Sequence, residues 1–407
     1  MKMRKAFALV LATGMLCAAF AGCSKADTNS NPSGDSSQRY LIGSYMPMTG
    51  NNTTYYQLLV NAQDLAADYI NANGGFNGAN VEFVRYDTTS SNEEAVKLAQ
   101  KLVQDDKVNA ALPSPLSNEI KASAGVLDEA HIPTMVVGTS TTLLSAENWD
   151  YVYRVALNTD YTIGNYFKIM KELGYTKAAI IFSQEEVAIS IRDAFVEQAP
   201  ENGVTITDIQ SVESSDSDFT AAILNVIKSE PDIIIKMVVG SGNGTCTKQL
   251  RQLGWDGIII EREIVGEDTL NIAGEAASEF YVFPSLYVVY ANADDCDNEY
   301  MKSFLKAYQE KYGELPNYDW AYRAYDQVMT LWAAAKAAGS NEGEAVKAAL
   351  DKLVVEGLGG TIDFTQDHEG YKDFDSFIYV GGKYVTFSKW LESGGYEAFL
   401  EKTGRDH

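Results

Sequence analysis

Four residue classes are scarce in this chain of 407 residues. There are four cysteines, three histidines, nine prolines, and far fewer basic than acidic side chains: 32 Lys and Arg against 56 Asp and Glu. The cysteines (Cys17, Cys23, Cys246, Cys296) form no CxxC pair and share no metal-type spacing with His131, His368 or His407. That argues against a zinc site and against a disulfide-stapled scaffold. The formal net charge of −24 argues against nucleic acid, whose phosphates need basic patches. No GxSxG elbow is present and no histidine sits where a Ser-His-Asp triad would need one. "GSGNGTC" (240–246) lacks both the GxGxxG spacing and the Gly-Lys-Ser/Thr of a phosphate loop. No metal and no cofactor is expected.

The apolar run at the start is shorter than a membrane span needs. "MKMRKAFALVLATGMLCAAFAGC" has a basic start, an apolar core from Ala6 to Phe20, and small residues before Cys23. This is the pattern of a secretory signal peptide. "FAGC" resembles a bacterial lipobox, in which Cys23 would be lipidated and become the mature N-terminus. "SKADTNSNPSGDSSQ" follows, too polar to bury a core and suited to a flexible tether. The alternative is a plain signal peptide with an incidental cysteine.

From Tyr40 onward short apolar runs alternate with amphipathic ones. "YLIGSYM", "NVEFVRYD", "VNAALPS" and "IPTMVVG" read as strands, with helical spacing between them. A second β/α set follows from about residue 160, carrying "KAAIIFS", "VTITDIQS", "DIIIKMVV" and "GIII". A mostly helical block spans 298–354, and "TIDFT" and "SFIYVGGKYVTF" return to strand. Such alternation predicts two tandem α/β units with parallel sheets. In open parallel sheets ligands sit beyond the carboxyl ends of strands. Two polar stretches fall there: "PSPLSNE" (113–119) and the hydroxyl run Thr139, Ser140, Thr141, Thr142. Capping of the next helix accounts for one such group per helix, not for several in a row.

Several segments together resemble the branched-chain amino-acid-binding (Leu/Ile/Val-binding) family, the type I periplasmic solute-binding proteins of ABC transporters. They are "AADYINANGGFNGANVEFVRYD", "EEAVKLAQKLVQDDKVNAAL", "SDFTAAILNVIKSEPDIII" and "YDWAYRAYDQVMTLWAAAKAAGS". The resemblance spans about residues 40 to 385. It implies two Rossmann-like α/β lobes joined by three hinge crossings, near 154–160, 281–287 and 360–367. The expected organisation is 1–22 signal peptide, 23–38 lipidated cysteine and tether, 39–157 plus 284–362 lobe 1, and 158–283 plus 363–407 lobe 2. It implies a non-enzymatic receptor on the outer face of a bacterial membrane. Its partners would be ABC permease and ATPase subunits, and it would be a monomer.

For the ligand, the resemblance points to Ser117, Asn118, Thr139, Ser140 and Thr141 as the carboxylate-binding group. Tyr55 falls where the family covers its ligand with an aromatic ring. Glu263, with Glu261 close by, falls where the family has an acid for the ligand's ammonium. Glu185 stands where the family often has a tyrosine. The two carboxylates point to an amino acid or a related small amine or amide. A sensor lipoprotein feeding a signalling receptor, or a surface hydrolase, are the alternatives. Cys246 and Cys296 are expected on different lobes as free thiols.

Overall fold

The computed structural model describes residues 38–405, apart from 51–55, 141, 146–147, 239–241, 263–266, 297 and 373. Cys23, Tyr55, Thr141 and Glu263 therefore lie outside the described residues.

The first sheet has five parallel strands: β1 (Arg39–Met46), β2 (Asn80–Asp87), β3 (Ala110–Leu112), β4 (Thr134–Val136) and β5 (Val152–Arg154). Their order is β2-β1-β3-β4-β5. The second sheet holds β6 (Lys177–Ser183), β7 (Thr205–Val212), β8 (Ile233–Met237), β9 (Ile259–Glu261) and β10 (Tyr281–Pro284), all parallel. A small hairpin of β11 (Val354–Gly357) and β12 (Gly360–Asp363) stands apart. The last two strands, β13 (Ser376–Val380) and β14 (Lys383–Thr386), join the second sheet antiparallel, giving β14-β13-β10-β9-β8-β6-β7. The second sheet is thus mixed rather than purely parallel.

Each sheet is covered on both faces, which is why strands such as "KAAIIFS" are apolar throughout rather than alternating. One core packs the helices Tyr56–Ala72, Glu299–Tyr312 and Trp320–Ala338 on the first sheet. Smaller clusters under the helices Asn92–Lys101 and Ser117–Glu129 cover its other face. Two further clusters flank the second sheet. Cys246 lies in the second lobe and Cys296 in the first, both buried and free.

The chain passes between lobes three times: after Arg154, after Pro284, and between Asp363 and Ser376. The third passage runs beyond the 360–367 expected. Its residues Phe364, Tyr371 and Phe374 belong to the first lobe's core. The reason is local: His368 and Gly370 exchange main-chain bonds with Arg154 at the end of β5 (Arg154 N donates to His368 O, 2.8 Å; Gly370 N donates to Arg154 O, 2.9 Å).

Both sheets reverse direction of growth once, between β1 and β3 and between β6 and β8. The crevice outside the strand ends at such a switch is where an open α/β sheet receives a ligand.

Candidate functional site

On the first lobe the helix Ser117–Glu129 begins just after β3. Other helices in this chain carry a cap: Ser91 accepts from Glu94 N, and Asn158 accepts from Asp160 N. Here Leu116 occupies the cap position and no side chain closes the helix start. Its first N–H groups are left for water or a ligand. Ser117 instead turns its Oγ to the neighbouring loop, where it accepts from Ser140 N at 3.4 Å. Gly138 permits this approach, because a Cβ there would sit 2.8 Å from Ser117 Oγ and 2.7 Å from Ile120 Cδ1. The structure thus brings Ser117 and Ser140 together, with Thr139 half-buried beside them. Thr142 instead accepts from Lys121 Nζ at 2.9 Å. Asn118 is exposed, and its amide donates to Asn92 Oδ1 at 2.6 Å.

Behind Ser117 lies Glu119, fully buried. Burial pushes its carboxyl above the usual range, and the Ser114 and Thr88 hydroxyls oppose that.

On the second lobe Glu185 follows β6 and precedes the helix Glu186–Gln198 without capping it. Hydrogen bonds from the Ser183 and then the Ser214 hydroxyl hold its carboxyl below the usual range, with a smaller contribution from the charge of Arg262. It is ionised at neutral pH. Glu261, expected close to the acid for a ligand's ammonium, already has a partner within the lobe. It is buried and paired with the fully buried Lys236, which also donates to Asn243 Oδ1. A lysine inside the apolar strand "IIIKM" has to meet a counter-charge, because a buried unpaired ammonium is costly. That ammonium ties β8, the end of β9 and the first turn of the helix Gly242–Gln252 to one point.

The hinge holds two more buried carboxylates that the sequence reading did not single out. Arg154 Nη2 donates to Glu369 Oε1 at 2.9 Å, and its Nε lies 2.8 Å from Oε2. Arg154 Nη1 donates to the carbonyl of Ser140 at 2.9 Å, joining the hinge to the hydroxyl loop. Asp326, on the helix Trp320–Ala338, accepts from Tyr371 Oη at 2.6 Å, Tyr287 Oη at 2.8 Å and Leu358 N at 2.9 Å. Tyr287 lies on the second crossing and Tyr371 on the third. Burial pushes the Asp326 carboxyl up to about 6.

Two sheets, three crossings and polar loops past the strand ends narrow the families that could account for this chain. The model of one, described as periplasmic binding protein, matches residues 40–379. The chain belongs to that family. It is accordingly a binding protein and not an enzyme, which sets the hydrolase alternative aside. Among relatives, an amino acid binding protein of Pseudomonas aeruginosa is 25% identical over 217 residues, covering 53% of this chain and 58% of its own length. The chain thus spans less than two thirds of that relative. The leucine-, isoleucine-, valine-, threonine- and alanine-binding protein of the same organism is 22% identical over 343 residues, with 84% and 89% covered. Among solved structures, a branched-chain amino acid transporter substrate-binding protein of Streptococcus pneumoniae, in complex with isoleucine, superposes with a TM-score of 0.67. It has 24% identity, with 86% of this chain and 100% of that chain covered. A solute-binding protein of Rhodopseudomonas palustris, in complex with 3,4-dihydroxybenzoic acid, gives 0.68 at 22% identity, with 86% and 96% covered. These likenesses establish the type I periplasmic binding protein fold.

Proposed function

We propose that this chain is the extracytoplasmic solute-binding lipoprotein of an ABC importer. It captures an amino acid, or a related small amine or amide, between two closing lobes. The observation that carries this reading is the helix start at Ser117: side-chain-uncapped, set at a sheet's switch point and flanked by Ser140 and Thr139. Helix N–H groups plus hydroxyls suit a carboxylate. Isoleucine and dihydroxybenzoic acid, bound by the two structures above, both carry one. The relatives' names point further, to an amino acid. Ser117, Thr139, Ser140 and Thr141 form the carboxylate side, with Asn118 at its edge turned to Asn92; Tyr55 covers the ligand, and Glu263 and Glu185 supply negative charge for an ammonium. Cys23 carries the lipid that holds a monomer at the outer face of the membrane, within reach of permease and ATPase subunits.

The test is native mass spectrometry of the purified protein, followed by thermal-shift screening of amino acids, amines and amides. A ligand that binds only the folded state raises Tm by mass action. At least one α-amino acid should do so at millimolar concentration or below. If none does, and no such molecule co-purifies, the ligand class is wrong. Separately, Cys23→Ser expressed in the native host should leave the membrane fraction. Retention there sinks the lipid anchor alone.

A further inference from the structure

The hydroxyl loop after β4 is held on both sides of one residue. Ser140 N donates to Ser117 Oγ at 3.4 Å, and Ser140 O accepts from Arg154 Nη1 at 2.9 Å. The first bond ties the loop to the start of the helix Ser117–Glu129. The second ties it to the first crossing.

Arg154 carries the connection further. A guanidinium is a rigid planar fork, so its nitrogens move together. Nη2 donates to Glu369 Oε1 at 2.9 Å, and Nε lies 2.8 Å from Oε2. Glu369 Oε1 also accepts from Asn158 Nδ2 at 3.2 Å. Asn158 Oδ1 in turn accepts from Asp160 N at 3.0 Å and so caps the helix Thr159–Leu173. That helix belongs to the second lobe, whose core takes its Ile163, Tyr166 and Met170. Ser140, Arg154, Glu369 and Asn158 thus form one bonded path from the ligand loop of the first lobe to the first helix of the second.

The path is built to transmit rather than absorb a movement. Arg154 is 0% exposed, Asn158 8% and Glu369 9%. Groups so buried cannot replace a lost partner with water, so each bond is costly to leave unmade. The main chain stiffens the same junction. A Cβ on Gly370 would sit 2.8 Å from the carbonyl oxygen of Arg154, so glycine lets the first and third crossings approach closely. Glu369 cannot turn unless Arg154 shifts at Ser140 or Asn158 lets go. The second crossing is anchored differently, through Tyr287 to Asp326 in the first core.

We infer that Arg154 and Glu369 are positioning residues that couple the ligand loop to the hinge. A carboxylate seated at Ser117 and Ser140 steadies the Ser140 peptide. Arg154 and Glu369 pass that on to Asn158 and the helix it caps, which favours closed lobes. The inference rests on the proposed ligand site for what fills the loop, but not for the connection itself. Coupling between two sites is reciprocal. A change at the hinge end must therefore be felt at the loop even without a ligand.

The test cuts the path at its far end with Asn158→Ser. Serine caps a helix as well as asparagine does, but has no N–H to reach Glu369. Hydrogen exchange in the ligand-free variant should be about threefold faster or more in peptides covering 135–145. Peptides covering β1 and β2 should exchange as in the parent. Parent-like exchange in the loop overturns the proposal. So does a rise spread evenly over both lobes, which is lost stability rather than coupling. A second arm uses L-isoleucine as the probe, followed by stopped-flow intrinsic fluorescence. Asn158→Ser should raise its off-rate about fivefold or more and leave its on-rate nearly unchanged, because the loop still receives the ligand but the lobes close on it less firmly. An unchanged off-rate overturns the link to closure. Failure of L-isoleucine to bind the parent counts against the ligand class alone, since exchange decides the coupling without a ligand.

Discussion

Arg154 and Glu369 meet nitrogen for oxygen at 2.9 and 2.8 Å, across 215 residues of chain, and so lock the first crossing to the third. Arg154 is wholly buried and Glu369 nearly so. Arg154→Met leaves a buried carboxylate without its cation and should lower unfolding free energy by about 3–5 kcal/mol in urea titrations. Replacing both residues, as in Arg154→Met with Glu369→Leu, should recover most of that. A double variant as unstable as the single one would show that packing, not charge, is what the pair contributes.

Asp326 makes the hinge pH-sensitive in a defined direction. Its carboxyl is pushed up to about 6 by burial, against hydrogen bonds from Tyr371, Leu358 and Tyr287. A folded value above the unfolded one means the proton is held more tightly in the folded state. The associated stability is therefore full below about pH 4 and lost as pH rises through about 6. The loss is on the order of 2–3 kcal/mol. Subtracting the stability of Asp326→Asn from that of the parent between about pH 4 and pH 7 should isolate this slope. A flat difference would remove Asp326 as its source.

At the proposed carboxylate site, Ser117→Ala and Ser140→Ala test different atoms. Ser117 offers its hydroxyl to the loop and to a ligand, whereas Ser140 is already held through its main chain. Each hydroxyl lost from a bound carboxylate should weaken binding by about 1–3 kcal/mol. Asn118→Ala should cost less than about 0.5 kcal/mol, as expected of an exposed side chain engaged elsewhere. A large loss at Asn118 would mean that its amide leaves Asn92 when the ligand arrives.

Glu263 and Glu261 should separate affinity from stability. Glu263→Gln keeps shape and removes charge, and should weaken an ammonium-bearing ligand by about 2–5 kcal/mol, mainly through off-rate. Glu261→Gln should instead destabilise the fold, because Lys236 loses its counter-charge. Isothermal titration alongside urea unfolding reads both quantities. An effect of Glu261→Gln on affinity alone would put that residue at the ligand after all.

Much of the architecture was legible. "NVEFVRYD" and "KAAIIFS" coincide with β2 and β6 residue for residue, because each is a continuous strand-forming run bounded by turn or polar residues. β5 and β10 left no such signal. "VYR" ends in a charged residue and "YVFP" in proline, and three or four residues show no period. The mixed sheet was hidden for another reason: strand direction depends on where the chain comes from, and "SFIYVGGKYVTF" reads the same in either orientation. In the site, polar residues past β3 and β4 could be placed by position alone. What could not be read were pairings between distant side chains. Nothing near Arg154 announces Glu369, and nothing in "IIIKM" distinguishes a lysine turned to solvent from one that meets Glu261 inside the lobe.

The interleaving of the lobes bears on how the protein comes to be made. The helix Tyr56–Ala72 packs against the helix Trp320–Ala338, and the first core gathers residues from Tyr40 to Phe374. The second sheet waits for β13 and β14, the last strands synthesised. Neither lobe can finish folding on the ribosome until most of the chain has emerged, and contacts so distant in sequence form slowly. A chain of this design stays open for longer than one built from two consecutive domains.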